Sequence, residues 1–268
     1  MIHDDPRPRD AHGGIHPLSR QQVNDQVDLA LAAELQAALL PTVDPPVSPH
    51  QKIAALNRMC GSVGGDFYDF LRLNDDQTAV AVGDVVGHGI QAALLMAKIM
   101  GFVRSDASKC SRPRDMVVAL NDMLVALGDR TGSVLPCSLF YAVLDAPSGG
   151  AFFINAGHPM PMLCSRSQCT TLHLGPRNMM LGVEPFEPKE GCHTFLPGER
   201  LVLYTDGVTD AANRDDDRFG TDRLHELVRD NIDETAHQCA RAIFQAVEDF
   251  RDGARQTDDE TLVVIDRI

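Results

Sequence analysis

The chain is short of positive charge, lacks any long apolar run and carries no paired-cysteine motif. Lys and Arg number 24 against 38 Asp and Glu, a formal net charge of −14. A general nucleic-acid binder would want a basic face, so that class is disfavoured. No stretch approaches the roughly 18 apolar residues that mark a membrane helix, so no membrane span is expected. The N-terminus lacks the apolar core of a secretory signal, and a cytoplasmic protein is the expectation. The seven cysteines (Cys60, Cys110, Cys137, Cys164, Cys169, Cys192, Cys239) include no C-x-x-C pair. Scattered reduced thiols are expected, not a disulfide framework or a zinc site. There is no internal repeat and no strict alternation of strand and helix, which argues against a doubly wound parallel sheet.

What is present suffices for a sizeable core. The 268 residues are 44% hydrophobic and 23% charged, ordinary for a globular chain. Residues 1–19 are rich in Pro, Asp, His and Gly without periodicity and read as a disordered leader. From Arg20 to Leu40, Val23, Val27, Leu31, Leu35 and Leu39 recur every fourth residue, and Pro41 stops the pattern. This predicts an amphipathic helix, serving either as a linker or dimer seam or as a helix packed on its own domain. Strands are expected at 52–59, 67–73, 77–82, 138–144, 151–155, 161–164, 170–174, 192–196, 200–204 and 261–266. Helices are expected at 90–103, 113–127, 220–231 and 234–251. Grouped strands and grouped helices indicate a layered α+β domain.

The chemistry lies in where the acids fall. Ala79–Val82 is an apolar run leading through Gly83 to Asp84, and Leu201–Tyr204 leads through Thr205 to Asp206. Gly64-Gly65 delivers Asp66, and Asp258-Asp259 lead into Leu262–Ile265. A buried carboxylate is costly without a cationic partner. One Asp-Gly alone is an ordinary turn, but four such segments point to a shared divalent cation with oxygen ligands. Two ions about 4 Å apart would suit phosphoryl transfer. Two other patterns fail. Gly87-His88-Gly89-Ile90-Gln91-Ala92 fits G-x-G-x-x-A, but no parallel strand follows its helix. Tyr204-Thr205-Asp206-Gly207 lacks the first acid of a phosphorus-attacking D-x-D-G-T.

The motifs together resemble the SpoIIE/RsbU-type serine phosphatases, of the metal-dependent (PPM, type 2C) superfamily. They are Glu34-Leu35-Gln36 with Leu39-Leu40-Pro41; Gly64-Gly65-Asp66-Phe67-Tyr68-Asp69; Gly83-Asp84-Val85-Val86-Gly87-His88-Gly89 with Ala92–Met96; Asn155-Ala156-Gly157-His158-Pro159; Leu203–Val208; and Asp258–Val264. The resemblance implies a four-layer αββα sandwich of two mainly antiparallel sheets, with a linker helix over 20–41 and the phosphatase domain over 42–268. It implies two Mn²⁺ or Mg²⁺ ions per site. Asp84 would bridge them, helped by the Val85 backbone carbonyl. Asp66 would act largely through water, and Asp206 and Asp258 would hold the second ion. Asp258 is preferred to the alternative Asp259 because it stands three before Thr261. The implied reaction is direct attack of metal-bound hydroxide on phosphoserine or phosphothreonine, with no phosphoenzyme. His88 is a candidate proton donor to the leaving oxygen, whereas a structural role is favoured for His158.

The implied substrate is a phosphorylated anti-sigma-factor antagonist (a STAS domain) or a similar small signalling domain. The resemblance further implies a separate sensor or activator protein, or self-association through the 20–41 helix. Helices 90–103 and 113–127, next to the Asp84 loop, are expected to set the metal-site geometry. The arginine with which eukaryotic type 2C enzymes grip phosphate has no motif-supported counterpart; Arg58 is merely nearby. Weak turnover of small aryl phosphates is therefore expected. Two rival readings stand beside this one: a catalytically weak or silent module of the same fold that binds and regulates a signalling partner, and a different dinuclear hydrolase such as a nuclease. The charge of −14 disfavours the last.

Overall fold

The structure, a computed structural model, describes residues 20–41, 50–110, 112–165, 169–171 and 177–268. The leader at 1–19, most of the proline-rich loop at 42–49 and the end of the 170–174 strand lie outside the described residues.

Two continuous apolar runs set the architecture. They are Leu201–Tyr204 in strand β9 (Arg200–Tyr204) and Leu262–Ile265 in strand β10 (Glu260–Arg267). Side chains alternate across a strand, and here both faces are buried. Leu201, Leu203, Val263 and Ile265 enter one core; Val202, Tyr204, Leu262 and Val264 enter another. A sheet buried on both sides needs a layer on each, and the chain supplies a second sheet and a pair of helices.

The first sheet has the order β1 (Gln51–Arg58), β10, β9, β6 (Met162–Cys164), β7 (Cys169–Thr171). The second has the order β2 (Phe67–Arg72), β3 (Gln77–Val85), β4 (Cys137–Asp145), β5 (Gly150–Ala156), β8 (Gly191–Thr194). Every pairing between these strands is antiparallel. Helices α2 (Ile90–Asp106) and α3 (Pro113–Thr131) cover the second sheet. Helices α5 (Gly220–Asp230) and α6 (Ala236–Arg251) cover the first. The expected αββα sandwich is what the chain forms.

Local chemistry fixes the ends. Pro113 occupies the first turn of α3, where its missing N–H is harmless. Thr235 and Gln238 form a capping box that starts α6 at Ala236, two residues after the expected start. Strand β3 runs on to Val85, past the expected end at Val82. Gly83, Asp84 and Val85 pair with Leu139, Ser138 and Cys137, and local pattern does not reveal that cross-strand register. A four-residue helix, α4 (Asp206–Thr209), was not expected.

Helix α1 (Arg20–Leu39) divides in two. Its C-terminal end is tied to the domain by buried Gln36 and Leu40. Val27, Leu31 and Leu35 are 60%, 55% and 64% exposed, so the helix packs on its own domain at one end and leaves this stripe uncovered. The expectation of reduced thiols fails for Cys164, which is disulfide-bonded; the hairpin register sets it opposite Cys169.

Candidate metal centre

The predicted acids converge where the strands of the two sheets end side by side. Phe67 pairs with Gly83, so Asp66 and Asp84 sit next to each other at one end of the second sheet. Leu262 pairs with Tyr204, which brings the segments bearing Asp206 and Asp258 together at one end of the first. Two threonines join the sheets. Thr205 Oγ1 and Thr261 Oγ1 both donate to Asp66 Oδ2, at 2.7 and 2.6 Å. The Thr261 N–H also donates to Thr205 Oγ1 at 2.9 Å. Asp66, 1% exposed, is thereby fixed by the residues adjoining its proposed co-ligands.

Electrostatics record the convergence. Burial, then the charge of Asp84, pushes the Asp66 carboxyl far above the usual carboxylate range, against the two threonine hydrogen bonds. Burial, then Asp206, Asp258 and Asp259, raises Asp84 to about 7. Asp206 is raised by burial and by Asp210, and Asp258 by burial and by Asp206. The acids share one field, in which burial and each neighbour disfavour the charge of the others.

The donor set fits a hard divalent ion. The carboxylates are joined by the Val85 carbonyl, and a Cβ on Gly65 would come within 2.6 Å of that oxygen. Glycine at 65 therefore leaves the approach to the carbonyl clear. The Cys137 thiol near Asp84 is fully buried and held protonated by burial and by Asp84 and Asp66. Among the described residues no group of three or more His, Cys, Asp or Glu side chains is placed so that it could hold a metal ion.

Asp258 and Asp259 differ sharply. Asp258 is exposed, and its Oδ1 accepts the Asp259 N–H at 2.9 Å. Asp259 is 5% exposed and turns inward. Its Oδ1 accepts the Cys60 N–H at 2.8 Å; its Oδ2 accepts the Gly65 N–H at 2.8 Å and the Asp66 N–H at 3.5 Å. Asp258 thus has one oxygen engaged by a local N–H, whereas both oxygens of Asp259 accept backbone N–H groups from residues 60–66.

Other predicted residues fall at varied distances from the chemistry. His88 is exposed on the bend between β3 and α2. His158 is 1% exposed, and its Nδ1 meets Ser138 Oγ at 2.8 Å, opposite Asp84 in the ladder. Its Nε2 has no hydrogen-bond partner, although the Tyr204 backbone lies close enough to favour the protonated ring slightly. Burial dominates and lowers its pKa to about 3, which favours the neutral ring. Arg58 is committed to Glu248 at 2.6 Å and Glu260 at 3.6 Å, not to the site. Asp210 accepts from Arg218 at 2.6 Å. Buried Asp69 accepts from Arg104 Nε at 2.6 Å, and Arg104 Nη2 donates to the Leu39 carbonyl at 2.6 Å.

Residues 74–268 match the family described as Stage II sporulation protein E (SpoIIE). The chain belongs to this family. Within the matched range lie Asp84, Asp206 and Asp258; Asp66 and helix α1 precede it. Among full-length relatives, Protein IcfG of Synechocystis sp. is 29% identical over 94% of this chain and 44% of that protein. Phosphoserine phosphatase RsbU of Bacillus subtilis is 24% identical over 92% of this chain and 72% of its own length. Phosphoserine phosphatase RsbP of the same organism is 23% identical, over 91% and 59%. The chain thus spans about half the length of IcfG and RsbP. Among solved structures, the SiaA PP2C domain of Pseudomonas aeruginosa superposes with a TM-score of 0.81 at 20% identity, covering 94% of this chain and all of that one. The RsbU and RsbW domains of Rv1364c from Mycobacterium tuberculosis give 0.69 at 24%, covering 83% and 61%. These likenesses establish the PP2C fold.

Proposed function

We propose that this chain is a metal-dependent protein serine/threonine phosphatase. The observation that carries the reading is the delivery of Asp66, Asp84, Asp206 and Asp258 into one shared field by separate segments of two sheets. Asp84 would bridge two Mn²⁺ or Mg²⁺ ions, with the Val85 carbonyl beside it. Asp66 would act from behind, and Asp206 and Asp258 would serve the second ion. When bound, such a pair lowers the pKa of a water and offsets charge on phosphoryl oxygens. The protein's own work is to hold these donors in place, with the Thr205 and Thr261 hydroxyls partly offsetting the cost of a charge on buried Asp66. His88, exposed at the start of α2, remains the proposed proton donor to the leaving oxygen.

The substrate is proposed to be a phosphorylated STAS-type anti-sigma-factor antagonist. The naming of RsbU and RsbP as phosphoserine phosphatases supports a phosphoserine substrate. So does the commitment of Arg58 elsewhere, which leaves recognition to protein docking. In this reading 20–41 is a linker helix and 42–268 the phosphatase domain. The outward stripe of Val27, Leu31 and Leu35 fits a second copy of the helix, or a sensor or activator protein. No helix among the described residues is long and apolar enough to cross a membrane.

The test is phosphate release from a phosphoserine STAS protein with Mn²⁺. Asp84→Asn and Asp206→Asn should each abolish it while leaving the fold intact. Unchanged turnover in either variant would sink the proposal. Binding of that protein without turnover by the wild type would favour a silent regulatory module instead.

A further inference from the structure

We propose that Asp259 is a positioning residue: its buried carboxylate holds the Gly64–Asp66 segment in place without ligating metal. The inference rests on the phosphatase reading for its consequence, although not for its geometry. Both carboxylate oxygens are already engaged. Oδ1 takes the Cys60 N–H at 2.8 Å, and Oδ2 takes the N–H groups of Gly65 and Asp66 at 2.8 and 3.5 Å. These donors come from a loop nearly 200 residues away in sequence, with separations of 199, 194 and 193. An ionised carboxylate is the natural acceptor for several converging amides, and such bonds are the stronger kind.

The packing around this residue is tight. A Cβ on Gly64 would fall 1.8 Å from Asp259 Oδ2 and 2.5 Å from Met59 Sδ, so a side chain there would have to push them aside. A Cβ on Gly207 would fall 1.9 Å from the Asp259 carbonyl oxygen. One residue therefore presses on both segments that present acids, with its side chain against the loop leading to Asp66 and its backbone against the turn carrying Asp206. On the far side, Gln36 grips Gly64 through two hydrogen bonds of 2.6 and 3.0 Å. The loop is clamped between α1 and Asp259, and Asp66 leaves that clamp pointing at Thr205 and Thr261.

Asp258, by contrast, has one oxygen engaged by a single local N–H and stands at the surface. The two neighbouring acids divide the work: one is available to an ion, the other fixes the backbone. Residues that orient ligands typically change metal affinity ten- to a hundred-fold when replaced, roughly, without removing the metal.

The experiment compares Asp259→Asn with Asp258→Asn in two measurements. The first is amide hydrogen exchange in EDTA, which needs no metal. Asp259→Asn should accelerate exchange at Cys60, Gly65 and Asp66 by about ten-fold or more, and Asp258→Asn should not. The second is Mn²⁺ titration by calorimetry. Asp259→Asn should keep the wild-type stoichiometry with roughly ten-fold weaker affinity, whereas Asp258→Asn should lose one ion. Gly64→Ala, which displaces the same carboxylate without touching an acid, should reproduce the Asp259→Asn pattern and covers the case in which that variant does not fold. Unchanged exchange at the three amides, or loss of one ion in Asp259→Asn with both retained in Asp258→Asn, would overturn the assignment. A wild type that binds no Mn²⁺ would defeat the phosphatase reading and leave the exchange result to judge the clamp.

Discussion

Asp84→Asn should change the pH dependence of stability in a calculable way. In the metal-free fold, burial and the neighbouring acids hold the Asp84 carboxyl at about 7, against 3.8 in an unstructured chain. A raised folded pKa means that the folded state binds the proton more tightly than the unfolded state. The contribution is then fully present below the unfolded value and is lost as pH rises from about 4 through about 7. The whole shift corresponds to about 4 kcal/mol. Between pH 5 and pH 8 the penalty should grow from roughly 2 to roughly 4 kcal/mol. For a domain of this size that is a fall of about 5–10 °C in Tm relative to a variant that cannot ionise at position 84.

The comparison must be between wild type and variant, because His158 pulls the other way. Its folded pKa is lowered to about 3, so its contribution is present above 6.5 and is lost as pH falls toward 3. His158 is common to both proteins, and the difference cancels it. Asp66 does not cancel, since its own rise is partly caused by Asp84, but it acts in the same direction. Differential scanning calorimetry in EDTA from pH 5 to 8 reads the effect. The gap in favour of Asp84→Asn should widen with pH. Adding Mn²⁺ should stabilise the wild type increasingly with pH, since ligation requires the ionised acids, and should barely affect the variant. Parallel metal-free profiles would refute the argument that these acids share a desolvated field.

Further outcomes follow from the same contacts. Gln36→Ala removes two hydrogen bonds to Gly64, one of the two grips on the loop; about 1–3 kcal/mol of stability should go, and Mn²⁺ affinity should fall with it by titration. Gly207→Ala forces a carbon to within 1.9 Å of the Asp259 carbonyl; phosphatase activity should drop at least about ten-fold through displacement of Asp206, measured as phosphate release. Leu31→Asp with Leu35→Asp should leave the unfolding free energy within about 0.5 kcal/mol of wild type and abolish self-association in sedimentation, if α1 pairs with a second copy. Turnover of p-nitrophenyl phosphate should be slow while a phosphoserine protein is processed, because Arg58 is held by Glu248 and Glu260.

What the sequence disclosed and what it hid divides along one physical line. Strands such as β9 and β10 were legible because four successive apolar residues need burial on both faces wherever they go. That the acids would lie near one another was legible because a charge at the end of such a run is costly without a partner. What stayed hidden are partnerships between residues far apart in the chain. Nothing in Asp258-Asp259 says that one carboxylate faces solvent while the other collects amides from residues 60–66. Nothing near Thr205 says that its hydroxyl will meet Asp66, 139 residues away. The glycines were the readable trace of those contacts: a Cβ on Gly64 or Gly207 would press on Asp259. A glycine beside an acid is therefore ambiguous as a turn signal alone. It becomes informative when a second glycine–acid pair elsewhere demands the same cramped neighbour. By that reasoning a chain with Ala at both 64 and 207 should be unable to seat Asp259, and its metal-free loop should exchange its amides as freely as the Asp259→Asn variant does.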